Sequence, residues 1–301
     1  MNKFPHIIIL LSLICSCTST NNTTVTENSK TASHFSSQTT VQKNEAISPV
    51  SSESSEVKGD AIFTHSTKKG RLYHHENYSF SYSEEDEQSE WVAYELTKEE
   101  TYGSLSRSNA FTEDPIVSTQ SAHVYEYRES GYTKGHLAPA ADMKFDRTAM
   151  MECFYTSNIS PQKQKFNAGI WNDLEMQTRH WARKFNKVYI VTGPVFSPND
   201  EKMHYTNNRG EVEMSEITIP TKFFKIIYDF SYAGKEKMIG FIIPQSAKGD
   251  IFEYAVTVDE VEKATGIDFF NNIATKTQDA LEGNLNISAW QKFLYENKYN
   301  N

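Results

Sequence analysis

Cysteine is scarce, with three in 301 residues, at positions 15, 17 and 153. If Cys17 is the mature N-terminus, Cys153 is left without a partner, and an intramolecular disulfide is excluded even in an oxidising compartment. Cys153 lies between Met151 and Phe154 in an apolar run. It is expected in the core, because no activating neighbour for a nucleophile is visible beside it. Long hydrophobic runs are also missing. The longest, Ile7 to Ile14, falls short of the about 20 residues that a membrane-spanning helix needs. Net positive charge is missing too: the chain carries −9, which argues against nonspecific adhesion to polyanions. No internal repeat is evident. From Thr18 to about Val57 large apolar residues are nearly absent, so that stretch cannot form a core.

What is present at the start is an address. Met1-Asn2-Lys3, the apolar run and the small residues around Ser16 read as a signal peptide. Ile14-Cys15-Ser16-Cys17 resembles a bacterial lipobox, with a small residue directly before the cysteine to be lipidated, Cys17; ordinary secretory cleavage nearby is the alternative. The expected organisation is a leader over 1–17, a Ser/Thr/Asn-rich flexible tether over 18–58, and a single globular domain over 59–301. The expected location is outside the cytoplasm, membrane-anchored through lipid and facing the periplasm or the cell exterior. The sequence does not fix the oligomeric state.

Within the globular part the charge is uneven. Thr133 to Lys187 holds nine Lys or Arg against five Asp or Glu, so the rest of the chain carries a net −13. The acidic run Glu84 to Glu87 reads as a solvated turn. Strands are expected at Tyr78–Tyr82, Glu90–Leu96, Lys187–Thr192, Phe223–Phe230 and Met238–Pro244, and helices at Arg147–Phe154, Asn167–Asn186 and Asp259–Thr265. Strands outnumber helices, giving an α+β domain with a central, largely antiparallel sheet and flanking helices. His74 and His75 are adjacent on a strand, face opposite ways and are read as structural.

The basic segment also carries the candidate chemistry. At about 100° per residue, Trp171, Leu174, Thr178, Trp181 and Phe185 share one helical face, which should be buried. Asn167 falls about 20° from Leu174 on that wheel, placing an amide at the end of the inward stripe, where it needs partners. Glu175 follows about 80° round, with Arg179 at the i+4 spacing. An inward oxygen ligand beside a carboxylate suits a hard cation. Spacing alone leaves blander alternatives open: Glu175 and Arg179 as a solvated ion pair, Asn167 as a helix cap, and His136 as an ordinary histidine after Gly135.

Three blocks in register add specificity: Thr133-Lys134-Gly135-His136, Ser157-Asn158-Ile159-Ser160-Pro161-Gln162, and Asn167 through Trp171 to Leu174-Glu175. Together they resemble the signature of the DNA/RNA non-specific endonucleases, the ββα-metal family that includes mitochondrial endonuclease G. Family-like text recurs in Trp91-Val92-Ala93-Tyr94, Val191 to Phe196 and Thr265 to Phe270, so the resemblance covers roughly residues 70 to 295.

The resemblance implies metal-assisted hydrolysis of phosphodiester bonds in DNA and RNA with little sequence preference, on a ββα-metal active-site unit. His136 would be the general base, Asn167 the direct protein ligand of Mg²⁺ (or Mn²⁺), and Glu175 the holder of a water of that ion. Asn158 would line the site. Arg107, in Ser106-Arg107-Ser108-Asn109, would clamp phosphate, while Lys134 and Arg179 would contact substrate. A base with the ordinary histidine pKa of about 6.5 would make activity rise through the neutral range. The family's Asp-Arg ahead of Gly-His is replaced here by Thr133-Lys134, which keeps the charge but loses the planar fork and a carboxylate. That change is the support for an alternative, a catalytically impaired nuclease-fold lipoprotein. A sugar- or peptide-binding surface lipoprotein explains the tether and the aromatics, but not the three blocks.

Overall fold

The computed structural model describes residues 63–295; the expected leader, Cys17 and the tether lie outside the described residues. Among the described residues eleven strands run in order as β1 (Arg71–His74), β2 (Ser79–Ser83), β3 (Gln88–Thr97), β4 (Thr133–His136), β5 (Ile159–Gln162), β6 (Lys187–Val195), β7 (Lys202–Thr206), β8 (Val212–Thr218), β9 (Lys222–Asp229), β10 (Lys237–Pro244) and β11 (Ala255–Val256). The α-helices are α1 (Arg147–Glu152), the single turn α2 (Gln164–Phe166), α3 (Asn172–Phe185), α4 (Val258–Thr265), α5 (Thr275–Glu282) and α6 (Ile287–Gln291).

Seven strands form one antiparallel sheet in the order β1-β2-β3-β6-β9-β10-β11. Its central strands read as nearly continuous apolar runs because both faces are covered, and alternate residues feed two cores. From β3, Val92, Tyr94 and Leu96 join one core, and Trp91 and Ala93 the other. β9 divides likewise, Phe223 and Ile227 to the first and Phe224, Ile226 and Tyr228 to the second. α3 lays Leu174, Trp181, Ala182 and Phe185 on the first core, while α4 lays Val258 and Val261 on the second. Each fully buried large side chain contributes about 1.5–3 kcal/mol, so this layering anchors α3 firmly against the sheet. The α+β class, with a mostly antiparallel sheet and flanking helices, is the observed one.

α4 has the ends its sequence dictates. Thr257 and Glu260 form a capping box, and Gly266 closes the helix with φ of 75°. α1 is shorter than expected, ending at Glu152, with Asp146 accepting from the amides of Thr148 and Ala149. The expected helix from Asn167 is corrected as well. Regular α3 begins at Asn172; Asn167–Trp171 is a π turn containing Gly169 at φ −106° and ψ −119°. The wheel holds for Trp171, Leu174, Thr178, Trp181 and Phe185, all buried, but its phase does not carry back through Gly169 to Asn167.

Glu84 to Glu87 does form the turn between β2 and β3, yet Asp86 is only 5% exposed. Its carboxylate accepts from Ser83 Oγ and Thr218 Oγ1, both at 2.8 Å, so the turn is docked rather than solvated throughout. His75 is structural as expected, its Nε2 2.8 Å from Asp114 Oδ2. Cys153 is fully buried, and burial pushes its thiol up to about 12.

Candidate active site

β4 and β5 pair outside the main sheet, with Thr133 opposite Gln162 and His136 opposite Ile159. The close fit requires glycine at 135, since a Cβ there would lie 2.2 Å from Gln162 Cδ. The hairpin, the π turn and α3 make the ββα unit. They enclose a cleft of ≈ 380 Å³ whose lining includes Arg107, Lys134, His136, Asn167, Asn172, Glu175 and Arg179.

His136 is 7% exposed and lies between Phe111 and Phe154, the latter ring edge-on at 4.9 Å. Burial, then the nearby Arg107 cation, lowers its pKa to about 3. The imidazole is therefore neutral across the working range, and the activity rise expected near 6.5 is displaced far below it. Nε2 is buried without a hydrogen-bond partner.

Asn158 is placed differently from the expectation. It is fully buried behind the histidine, not among the cleft-lining residues. Its Oδ1 accepts from Ala138 N at 2.9 Å, and Nδ2 donates to Ala138 O at 2.9 Å and to Cys153 O at 2.8 Å. With Leu137 N donating to Asn158 O, this one residue fixes the chain leaving His136. It holds the backbone that leaves His136 from outside the cleft lining.

Asn167 is half-buried, and its Nδ2 donates to Thr133 Oγ1 at 3.0 Å. Thr133 Oγ1 in turn donates to Gln162 O at 2.9 Å. The hydroxyl has one proton, so donation to Gln162 leaves it an acceptor toward Asn167, which orients the amide with Nδ2 toward Thr133 and Oδ1 away from it. The departure at Thr133 thus has a defined role: it holds Asn167.

The Glu175–Arg179 pair is corrected. Arg179 donates from Nη1 to Asp142 Oδ1 at 2.6 Å, and Tyr94 OH donates to the other oxygen at 2.7 Å. Asp142 is 1% exposed, so the pair is buried and fixed at the cleft wall. Burial raises the pKa of Glu175, while the cations Arg179 and Lys225 oppose the rise. Lys225 projects from β9, 1% exposed, with Nζ 4.9 Å from the centroid of the Trp171 ring. Its pKa is lowered by burial and partly restored by Glu175.

Asp142 and Lys225 were not anticipated from sequence. Lys225 had a signal, a lone lysine inside Phe223-Phe224-Lys225-Ile226-Ile227. Asp142, in a loop, had none. Arg107 is exposed, its Nε donating to Asn109 Oδ1 and its guanidinium lying over the Phe154 ring at 5.0 Å. Lys134 is half-buried above Phe111 and Tyr127, at 5.3 and 5.5 Å. The cleft therefore presents three cations, a neutral imidazole, an oriented amide and one carboxylate.

Several known nucleases are similar to this chain in sequence. The chain is 35% identical over 213 residues to nuclease C1 of Cunninghamella echinulata, covering 67% of this chain and 83% of that protein. It is 30% identical over 217 residues to human mitochondrial endonuclease G, covering 68% and 71% respectively. Against mitochondrial nuclease EXOG of Xenopus laevis identity is 35% over 204 residues, 64% of this chain; the chain spans 56% of that relative's length. The crystal structure of the EndoG/EndoGI complex contains a chain that superposes with a TM-score of 0.58 at 28% identity, covering 68% of this chain and 87% of its own. The family profile described as DNA/RNA non-specific endonuclease matches residues 59–276. On the combined ground of the three blocks, the ββα cleft and these matches, the chain belongs to the DNA/RNA non-specific endonuclease family.

Proposed function

We propose that the protein is a divalent-metal-dependent endonuclease that hydrolyses phosphodiester bonds of DNA and RNA with little sequence preference. The observation that carries this is the pairing of a neutral, shielded imidazole at His136 with an amide at Asn167 whose Nδ2 is held by Thr133. The residues fit a hard cation: Asn167 Oδ1 supplies a neutral oxygen and Glu175 a carboxylate nearby, a sparse set that suits Mg²⁺ or Mn²⁺ retaining most of its waters. When bound, the ion supplies Lewis acidity at the phosphate.

The chain's own residues do the rest. Because Nε2 of His136 is shut off from solvent without a partner, Nδ1 is the nitrogen left to take a proton from the attacking water. Arg107, Lys134 and Arg179 attract and hold the phosphate. Arg179 is fixed by Asp142, so its position needs little further ordering. Lys134 acts as a point charge steadied by two rings. Glu175 accepts a hydrogen bond from water in the cleft in its ionised form, which Lys225 favours from beneath. Each of these cations can act on the phosphate backbone, which carries no sequence information.

The same reading extends to export and lipidation at Cys17, which the Ser16-Cys17 sequence and the polar tether support. A plasmid-nicking and RNA-cleavage assay with and without chelator tests the activity: cleavage of both polymers, abolished by chelator and restored by Mg²⁺, is expected. A chain that binds either polymer without cleaving it under any divalent ion would contradict the reading.

A further inference from the structure

Away from the cleft, α4 and α5 bring three carboxylates together. Asp259 and Glu262 lie one turn apart on α4, and Glu282 is the last residue of α5. One oxygen from each lies within 4.8 Å of the others. None of the three forms an ion pair with a described Lys, Arg or His. Glu282 is only 3% exposed, and its Oε1 is buried without a hydrogen-bond partner. A buried carboxylate oxygen left unpaired is costly. Here the cost is compounded twice. The adjacent charges are Glu262, Asp259 and Asp268, all of one sign, and the side chain that hydrogen-bonds the carboxyl, Gln278, is neutral. Glu282 also sits at a helix C-terminus, where backbone carbonyls already point outward and a cation, not an anion, is favoured. Space is provided at the same point: a Cβ on Gly283 would lie 3.2 Å from Asp259 Oδ2.

Together these features describe a pocket of hard oxygen donors with no cation of the chain's own. We propose that Asp259, Glu262 and Glu282 form a second divalent-cation site, of the calcium class, that clips α5 to α4. Calcium suits it better than magnesium, because three carboxylates from two helices give an irregular, adaptable oxygen shell, whereas magnesium demands near-octahedral geometry. The site is separate from catalysis: α4 and Leu281 of α5 pack on the core of Trp91, Val191 and Phe269, while α3 packs on the other sheet face. Its role is structural. The buried Oε1 of Glu282 gains a partner, and α5 is tied to the sheet through α4.

The test uses the full chain, stripped with chelator and dialysed, with Ca²⁺ as the probe. Equilibrium dialysis compares Asn167→Ala with Asn167→Ala/Glu282→Gln, so that the readout is the difference of one bound equivalent, whatever Ca²⁺ remains at the cleft. Saturable binding below about 1 mM, the range of modest protein calcium sites, is expected in the first and one equivalent less in the second. Thermal melting should rise on adding Ca²⁺ to the first and rise less in the second. Should Glu282→Gln fail to fold, Asp259→Asn, an exposed carboxylate, carries the same comparison. Equal Ca²⁺ binding with and without these substitutions would overturn the proposal.

Discussion

His136 shows how burial sets chemistry at a single residue. An imidazole with its pKa lowered to about 3 takes no proton in the folded chain at pH 5, whereas an unfolded histidine at about 6.5 does. The folded-state value is depressed, so the stability it contributes is intact above pH 6.5 and is lost as pH falls toward about 3. Between pH 6.5 and 5 this one group should account for roughly 2 kcal/mol. Urea unfolding at pH 7 and pH 5 checks it: His136→Gln should narrow the gap between the two by about that amount, and an unchanged gap would refute the depressed value. With His136 as the proposed base, a rise of activity with pH near neutrality is expected from the ionisation of Glu175, whose pKa burial raises. Lys225→Met should move such a rise to higher pH, since the cation that favours ionised Glu175 is removed. A rate profile unmoved by that change would separate Lys225 from the site.

At the level of elements, the hairpin and the π turn place the chemistry. Asn158 ties Ala138 and Cys153 together through both ends of its amide. Asn158→Ala leaves buried backbone groups unpaired, at about 1–3 kcal/mol each. It should lower thermal stability and cleavage rate together while leaving the metal concentration for half-maximal rate unchanged. A shift in metal requirement would instead mean that Asn158 reaches the ion. Gly135→Ala drives a Cβ into the buried Gln162 side chain and should cost about 1–3 kcal/mol. These elements also mark what the sequence could and could not tell. α3 and the central strands were legible because long periodic or apolar runs override local ambiguity. β4 and β5, at four residues each, carry no periodic signal and emerged from family resemblance alone. Gly169 breaks the wheel from which Asn167 was projected, and Arg179 chose Asp142, which no spacing rule connects to it. The roles of Thr133 and Asn158 depend on hydrogen bonds across 34 and 20 residues of chain.

For the whole molecule, the charge distribution reconciles a net −9 with the proposed polyanionic substrate. Arg107, Lys134 and Arg179 gather at one cleft, so cleavage should fall steeply with salt even though the protein is acidic overall. Charge reversal at Lys134 should weaken that dependence. The proposed anchor acts at the same scale. Cys17→Ser should release the protein from membranes, and continued partition of the substituted chain into detergent would refute lipidation there. The central claim, that His136 is the base and Asn167 the ion's ligand, is tested most directly by titrating Mg²⁺ and Mn²⁺ against cleavage rate for the parent, His136→Ala and Asn167→Ala, with thermal melts alongside. His136→Ala should lose about 10²- to 10⁴-fold in rate at every metal concentration, without rescue. Asn167→Ala should regain part of its lost rate as metal is raised. Identical metal dependence of Asn167→Ala and parent, or rescue of His136→Ala by added metal, would contradict the account.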